Sequence, residues 1–380
     1  MKKPTAIYNA RLVLQDRIVE NGVLLIAGDT IVNLGTADQV AIPETASKID
    51  AKNAYVGPGF VDIHVHGGDG FSTCFDPKLA AEFFLQHGTT TMLATPAYSM
   101  DLDTMLSAIR SVKASLQDAA TIRGLYMEGP YTNPHYGANA HTHPWRHPIA
   151  EAQYRQLVDE AGKLAKVWVI APEREGLLPF LKYARKVNPH VKFAVGHSEA
   201  TPAQIRALGQ YGPALHTHLT DATGRQPVTA GTRGCGPDEY CFVESEVYGE
   251  MISDSQGIHV SADMQKLILH CKGVHRTVLI TDSTRLNNPN PPALSHVTDL
   301  NFSSTGELAG SKLTMDQALR NVMAHTGCSI VDAFLMASTN PARALEFDDI
   351  GSIEVGKKAD LVLLDDAFQL QQVILRGNCI

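Results

Sequence analysis

Hydrophobic and polar positions along this 380-residue chain fall into two textures. At the N-terminal end, Ala6 to Leu14, Gly22 to Ile26 and Thr30 to Gly35 are short runs rich in β-branched residues, parted by turn formers such as Gly28-Asp29. Such runs read as strands, because branched side chains suit a pleated surface and glycine supplies the turn. The C-terminal end repeats the texture in Gly351 to Ile353, Asp360 to Asp365 and Gln372 to Gly377. Two β-rich ends around a different middle predict a small β-sandwich built from both termini, residues 1–55 and 346–380.

In the middle, residues 56–345, short apolar runs alternate with longer stretches of helical period, the pattern of repeated βα units on a parallel sheet. Strands are expected at Gly59 to His64, Thr89 to Thr95, Ile122 to Glu128, Val167 to Pro172, Lys192 to His197, Ala214 to His218, Gly249 to Asp254 and Thr277 to Asp282. Helices are expected at Pro77 to His87, Asp103 to Leu116, Ala150 to Leu164, Pro202 to Gln210, Met315 to His325 and Ile330 to Thr339. Eight such units predict an α/β fold, a (β/α)₈ TIM barrel. A doubly wound sheet is the runner-up, but no Gly-x-Gly-x-x-Gly turn supports it.

Composition narrows the function without naming it. Hydrophobic residues are 44% and charged residues 19% of the chain, an ordinary globular balance. A formal net charge of −8 with no basic cluster argues against a nucleic-acid surface. Met1-Lys2-Lys3-Pro4-Thr5 has no apolar segment behind it, and no apolar run approaches the roughly 20 residues that span a bilayer, so neither secretion nor a membrane is expected. The six cysteines lack a C-x-x-C pair and read as reduced thiols of a cytoplasmic protein.

Candidate chemistry gathers at the ends of the expected strands. His64-Val65-His66, Glu128-Gly129-Pro130, Gly196-His197-Ser198, His216-Thr217-His218 and Thr281-Asp282-Ser283 each follow an apolar run. In a (β/α)₈ barrel those ends share one rim. Residues i and i+2 of a strand point the same way, so His64 and His66 can grip one ion. Histidines with one or two carboxylates and a position left for water make a catalytic rather than a closed structural site. Such an ion lowers the pKa of a bound water to about 7.

The stretch Pro58 to Gly67 resembles the amidohydrolase superfamily, as do the β-rich ends, including Gly351 to Val362. Within it, Met127 to Tyr131, Gly196 to Thr201, Thr217 to Leu219, Leu279 to Asp282 and Leu308 to Met315 resemble the N-acetylglucosamine-6-phosphate deacetylases, over nearly the whole chain. The resemblance implies Glu128, His197 and His218 as main metal ligands and His64 with His66 as the pair completing a second site. It implies Asp282 as the catalytic acid/base and His259 as a substrate contact. Arg225, Asn139, Asp221, Ala222 and Gly310 are the other positions assigned to substrate. One or two divalent ions are expected, zinc first, with Fe²⁺, Mn²⁺, Co²⁺ or Ni²⁺ as alternatives. The implied activity is removal of the acetyl group from an N-acetylated amino sugar phosphate. The alternative is a different N-acyl amine or N-acetyl hexosamine, galactosamine-type or non-phosphorylated. A homodimer is implied as well.

Two loops depart from the family's pattern. Leu219 to Val228 puts Asp221 where the family has a neutral Asn, while keeping Arg225, whose guanidinium suits a phosphate. Tyr136 to Trp145 puts Asn139 where the family has a substrate-touching histidine, and adds His141 and His143, read here as loop residues. Gly231 to Pro237 adds Arg233 in a glycine-rich loop, an alternative anion site.

Overall fold

A computed structural model describes residues 3–137, 143–227 and 229–380; Asn139 and His141 lie outside the described residues. Eight parallel strands follow one another in sequence order around a barrel. They are β1 (Phe60–Val65), β2 (Thr89–Ala94), β3 (Ile122–Tyr131), β4 (Ala165–Ile170), β5 (Lys192–Val195), β6 (Leu215–His216), β7 (Tyr248–Ile252) and β8 (Thr277–Ile280). All eight expected runs are strands. The ends of β8 and β1 are joined where the Asp282 N–H donates to the His64 carbonyl (3.0 Å) and the His66 N–H to the Ser283 carbonyl (2.8 Å).

These strands are almost wholly buried because both faces are covered, mostly by apolar side chains but with Asp62, Thr89 and Glu250 among them. In β4 the alternation is plain. Val167 and Val169 join an apolar cluster that draws on all eight strands and fills the interior, while Trp168 and Ile170 face the surrounding helices. Of the expected helices, Pro202–Arg206 is shorter than read, closing in a 3₁₀ turn where Gly209 takes φ +55. The helix begun at Ile330 widens into a π stretch at Leu335–Thr339 before Asn340–Ala344.

The two ends of the chain meet in one eight-stranded sheet. Tyr55–Pro58 pairs antiparallel with Leu361–Leu364, and Thr5–Val13 pairs with Ile18–Ala27 on the other side. Gly351 to Ile353, expected as a strand, is not one. Gly351 turns at φ +86 and its carbonyl accepts from Thr339 Oγ1 at 2.7 Å, so the segment is a buried turn against the barrel helices. The sheet lies beside β1, since the chain passes from Pro58 to Phe60 with a single residue between. Among the described residues no helix is long and apolar enough to cross a membrane.

Candidate metal centre and active site

The polar residues at the rim are aimed by the strands that precede them. His64 lies in β1 and Glu128 in β3, while His197, His218 and Asp282 each follow their strand by two residues. Those three take φ +44, +31 and +47, a left-handed conformation that L-residues rarely adopt. Each such residue costs on the order of 1–3 kcal/mol and persists where the surroundings over-determine it. Here the twist turns the side chains inward over the barrel mouth instead of letting them continue the strand.

The result is a tight convergence. Glu128 Oε1 stands 2.9 Å from His197 Nε2 and 3.3 Å from His218 Nε2, and the two histidine nitrogens are 2.9 Å apart. On the other side, His66 Nε2 lies 3.1 Å from Glu128 Oε2 and 3.2 Å from Asp282 Oδ1. His64 Nε2 lies 3.6 Å from both Glu128 Oε1 and Asp282 Oδ1. Glu128, His197 and His218 thus form one group able to hold an ion, and His64, His66 and Glu128 another, sharing the carboxylate.

Proton bookkeeping tests whether a cation fits. His197 Nδ1 faces the Tyr136 carbonyl at 3.3 Å and His218 Nδ1 faces the Asp221 carbonyl at 3.2 Å. His66 Nδ1 faces the Thr95 carbonyl at 3.0 Å. A carbonyl only accepts, so each Nδ1 carries the ring proton and each Nε2 presents a lone pair. Lone pairs of His197, His218 and Glu128 then point at one another within about 3 Å, a repulsive arrangement unless a cation stands among them. Among the described residues, buried His64 Nε2 has no hydrogen-bond partner. The donor set therefore fits a divalent ion.

The electrostatics agree. Burial disfavours charge on His66 and His218, but Glu128 and Asp282 outweigh it and push both up to about 9. His64 is raised well above the ordinary histidine value, Glu128 and Glu250 outweighing its burial. Burial likewise opposes charge on Glu128 and Asp282, yet the histidines hold both carboxyls below their usual range. A cluster that stabilises positive charge so strongly is matched to a cation.

Above this floor opens a cleft of about 650 Å³. His66, Glu128, His197, His218 and Asp282 line its base, and Asp221, Ala222 and Gly310 its wall. Arg225 is elsewhere: it pairs with Glu239 at 3.1 Å, as Arg233 does at 2.9 Å. His259 does not line the cleft either. Its Nδ1 meets Asp254 at 3.2 Å and its Nε2 faces the Gly310 carbonyl at 3.2 Å, so it props the wall from behind. His143 is buried and stacked on Tyr98, and burial lowers it to about 4. Sequence reasoning missed Tyr98 and Arg285, both of which line the cleft. Position was the available signal for Arg285, three residues beyond Asp282.

Comparison with known proteins places this geometry. The amidohydrolase family profile matches residues 55–380. The chain is 29% identical to the N-acetylgalactosamine-6-phosphate deacetylase of Escherichia coli O157:H7, over 89% of this chain and 90% of that one. It is 28% identical to the N-acetylglucosamine-6-phosphate deacetylase of Bacillus subtilis (strain 168), over 100% and 97%. A variant of the N-acetyl-D-glucosamine-6-phosphate deacetylase of Mycobacterium smegmatis, solved in complex with N-acetyl-D-glucosamine-6-phosphate, superposes with a TM-score of 0.83 at 27% identity. That match covers 100% of this chain and 99% of the other. The chain belongs to the amidohydrolase family; it is a hydrolase of amide C–N bonds, and membership implies a divalent metal.

Proposed function

We propose that this enzyme removes the acetyl group from an N-acetylated amino sugar phosphate, N-acetylglucosamine-6-phosphate + water giving glucosamine-6-phosphate + acetate. The observation that carries the reading is the acceptor-only cluster of Glu128, His197 and His218 beside Asp282, at the base of a cleft of about 650 Å³. Relatives that bear the deacetylase name over 89% or more of this chain support it.

Glu128, His197 and His218 would hold one ion, and His64 with His66 a second across Glu128. Zinc is the first candidate, because imidazole and carboxylate suit it. A divalent ion there supplies Lewis-acid activation of water and of the acyl carbonyl. Asp282, its carboxyl held ionised at neutral pH, accepts a proton from the attacking water. It then returns that proton to the sugar nitrogen as the C–N bond breaks, so that glucosamine-6-phosphate leaves as a neutral amine and the acetic acid, which keeps the water oxygen, ionises to acetate and releases its proton to solvent. Tyr98 and the buried base of the cleft exclude bulk water from the reacting amide. On the wall, Arg285, which lines the cleft, would meet the phosphate.

A phosphorylated sugar does not cross a membrane unaided, and all six cysteines are free, which supports a cytoplasmic enzyme. The proposed assembly is a homodimer, which light scattering of the 41.1 kDa chain would register as doubled mass. The functional test is turnover of metal-loaded protein on N-acetylglucosamine-6-phosphate, N-acetylgalactosamine-6-phosphate and free N-acetylglucosamine. Preference for the glucosamine phosphate is expected; equal turnover of the free sugar would sink the phosphate-dependent reading.

A further inference from the structure

Below the candidate centre, inside the barrel, sits a carboxylate to which no role has yet been given. Glu250, in β7, has 0% exposure, and His64 is its only ion-pair partner among the described residues. Burying a carboxylate without an Arg or Lys is costly unless hydrogen bonds satisfy it. Glu250 is satisfied at both oxygens: Oε1 accepts from the Tyr126 hydroxyl at 2.8 Å, and Oε2 stands 3.4 Å from His64 Nδ1. Tyr126 holds the same imidazole a second way, its ring stacked on His64 at 4.4 Å between centroids and 26° between planes.

The tautomer of His64 depends on this neighbour. Thr217 Oγ1 is nearer to Nδ1, at 3.0 Å, but a hydroxyl either donates or accepts and so permits both tautomers. A carboxylate only accepts. With Glu250 present, Nδ1 keeps the proton and Nε2 presents its lone pair toward Glu128 and Asp282, where it has no hydrogen-bond partner. The other histidines of the cluster are oriented by backbone carbonyls; His64 alone depends on side chains for it.

We infer that Glu250, braced by Tyr126, is a positioning residue that makes His64 Nε2 a ligand and thereby decides whether the His64–His66 side of the centre holds an ion. The inference rests on the proposed metal-hydrolase reading and deepens it. Outer carboxylates that orient a ligating imidazole change metal affinity by roughly 10–100-fold, and Glu250→Gln goes further. Its amide nitrogen can donate to Nδ1, which would place the ring proton on Nε2, the ligating position.

The test is made on purified full-length protein loaded with Co²⁺ and equilibrated against graded chelator. Ions retained per chain are counted by mass spectrometry, with the visible Co²⁺ absorption followed in parallel. Wild type is expected to hold two ions. Glu250→Gln is expected to lose one at chelator concentrations roughly 10–100-fold lower while retaining the other, and Tyr126→Phe to shift the same way by less. A Glu250→Gln curve superimposable on wild type overturns the inference, and so does a wild type that never holds more than one ion. Should Glu250→Gln fail to fold, Tyr126→Phe decides alone, an unshifted curve being the adverse result. Failure of the proposed deacetylation would show instead as a fully loaded wild type without turnover, which leaves this comparison readable.

Discussion

The floor of the cleft and its walls are built by different rules. On the floor, Glu128, His197, His218 and Asp282 are buried, come from the ends of β3, β5, β6 and β8 of one barrel, and meet within 3.6 Å of the neighbouring histidines. On the walls, charged side chains project from exposed loops and choose their own partners: Arg225 and Arg233 both turn to Glu239, while Arg285 faces the cleft. A strand end dictates where a side chain points, so residue type there nearly suffices to read its chemistry. A loop does not. The same arginine can anchor a ligand or pair with the next acid along.

If that contrast is right, substitutions on the floor should abolish turnover on every substrate, and substitutions on the walls should discriminate between substrates. The largest effect is expected from Glu128→Ala, because its carboxylate belongs to both candidate ion groups. Bound metal should be lost and kcat/KM should fall by roughly 10⁴-fold or more on all substrates. A variant that kept full metal content would remove Glu128 from the ligands. His197→Ala should likewise lose metal together with activity. Asp282→Asn should retain metal and fold but lower kcat by about 10²–10⁴-fold, the range general acid–base catalysis supplies. Near-normal kcat would refute its role as proton carrier.

The walls give the complementary prediction. Arg285→Ala should raise KM for N-acetylglucosamine-6-phosphate by about tenfold or more, as expected for one lost charge-assisted hydrogen bond, and leave kcat nearly unchanged. Arg225→Ala, whose guanidinium is committed to Glu239, should change KM by less than about threefold. The reverse ranking, read from paired Michaelis–Menten curves, would mean that the Arg225–Glu239 pair opens to receive the phosphate.

The same distinction governs how far the sequence could be read. All eight barrel strands were legible because burial on both faces leaves short runs dominated by apolar and β-branched residues, set off from the helical stretches between them. The helix Ala262–Lys272 was not, since its buried positions Gln265, Ile268 and Lys272 include two polar residues and blunt the 3.6-residue period. Leu177–Val187 and Pro237–Val243 were also missed, each opening with a proline in its first turns or a lone glycine before it. On the floor, the strand-end motifs were enough to collect six residues that the fold brings together. Glu250 escaped because it meets His64 across 186 residues, and a lone glutamate within a short strand carries no spacing signal. Arg225 was chosen on motif grounds, with Arg285 unnoticed; only the fold reveals Glu239 waiting 14 residues further on.

Asp254 and His259 blur the contrast, being a wall support constructed like the floor. Burial works to raise the Asp254 carboxyl, but His259 and the N–H groups of Ile258 and His259 prevail and hold it at about 2. Its contribution is complete above the ordinary carboxylate value of 3.8 and is lost as pH falls through about 2. His259 is buried too, yet Asp254 raises it above its ordinary 6.5. Its share is complete below 6.5 and is lost as pH rises through the higher folded value. The pair is therefore at full strength between about pH 4 and 6.5. Asp254→Asn should destabilise by about 1–2 kcal/mol at pH 5.5 and by less at pH 9. Thermal melts at the two pH values check this, and an equal loss at both would show that charge on His259 contributes nothing.

A small but substrate-dependent effect is expected at Asp221, on the cleft wall beside the base. Its carboxylate brings negative charge to a surface that, in the proposed function, must admit a phosphate. Two like charges several ångströms apart near a protein surface repel by about 1 kcal/mol or less once solvent screens them. Asp221→Asn should then lower KM for N-acetylglucosamine-6-phosphate by about threefold and leave KM for the free sugar unchanged. Because the effect is electrostatic it should shrink as ionic strength rises, with most of it gone near 1 M salt, where the screening length is about 3 Å. Steady-state KM measured for both substrates at low and high salt separates the alternatives. A KM change that is independent of salt, or shared by the free sugar, would mean that Asp221 acts by shaping its loop, whose backbone carbonyl already holds His218. In that case this wall residue would obey the rules of the floor.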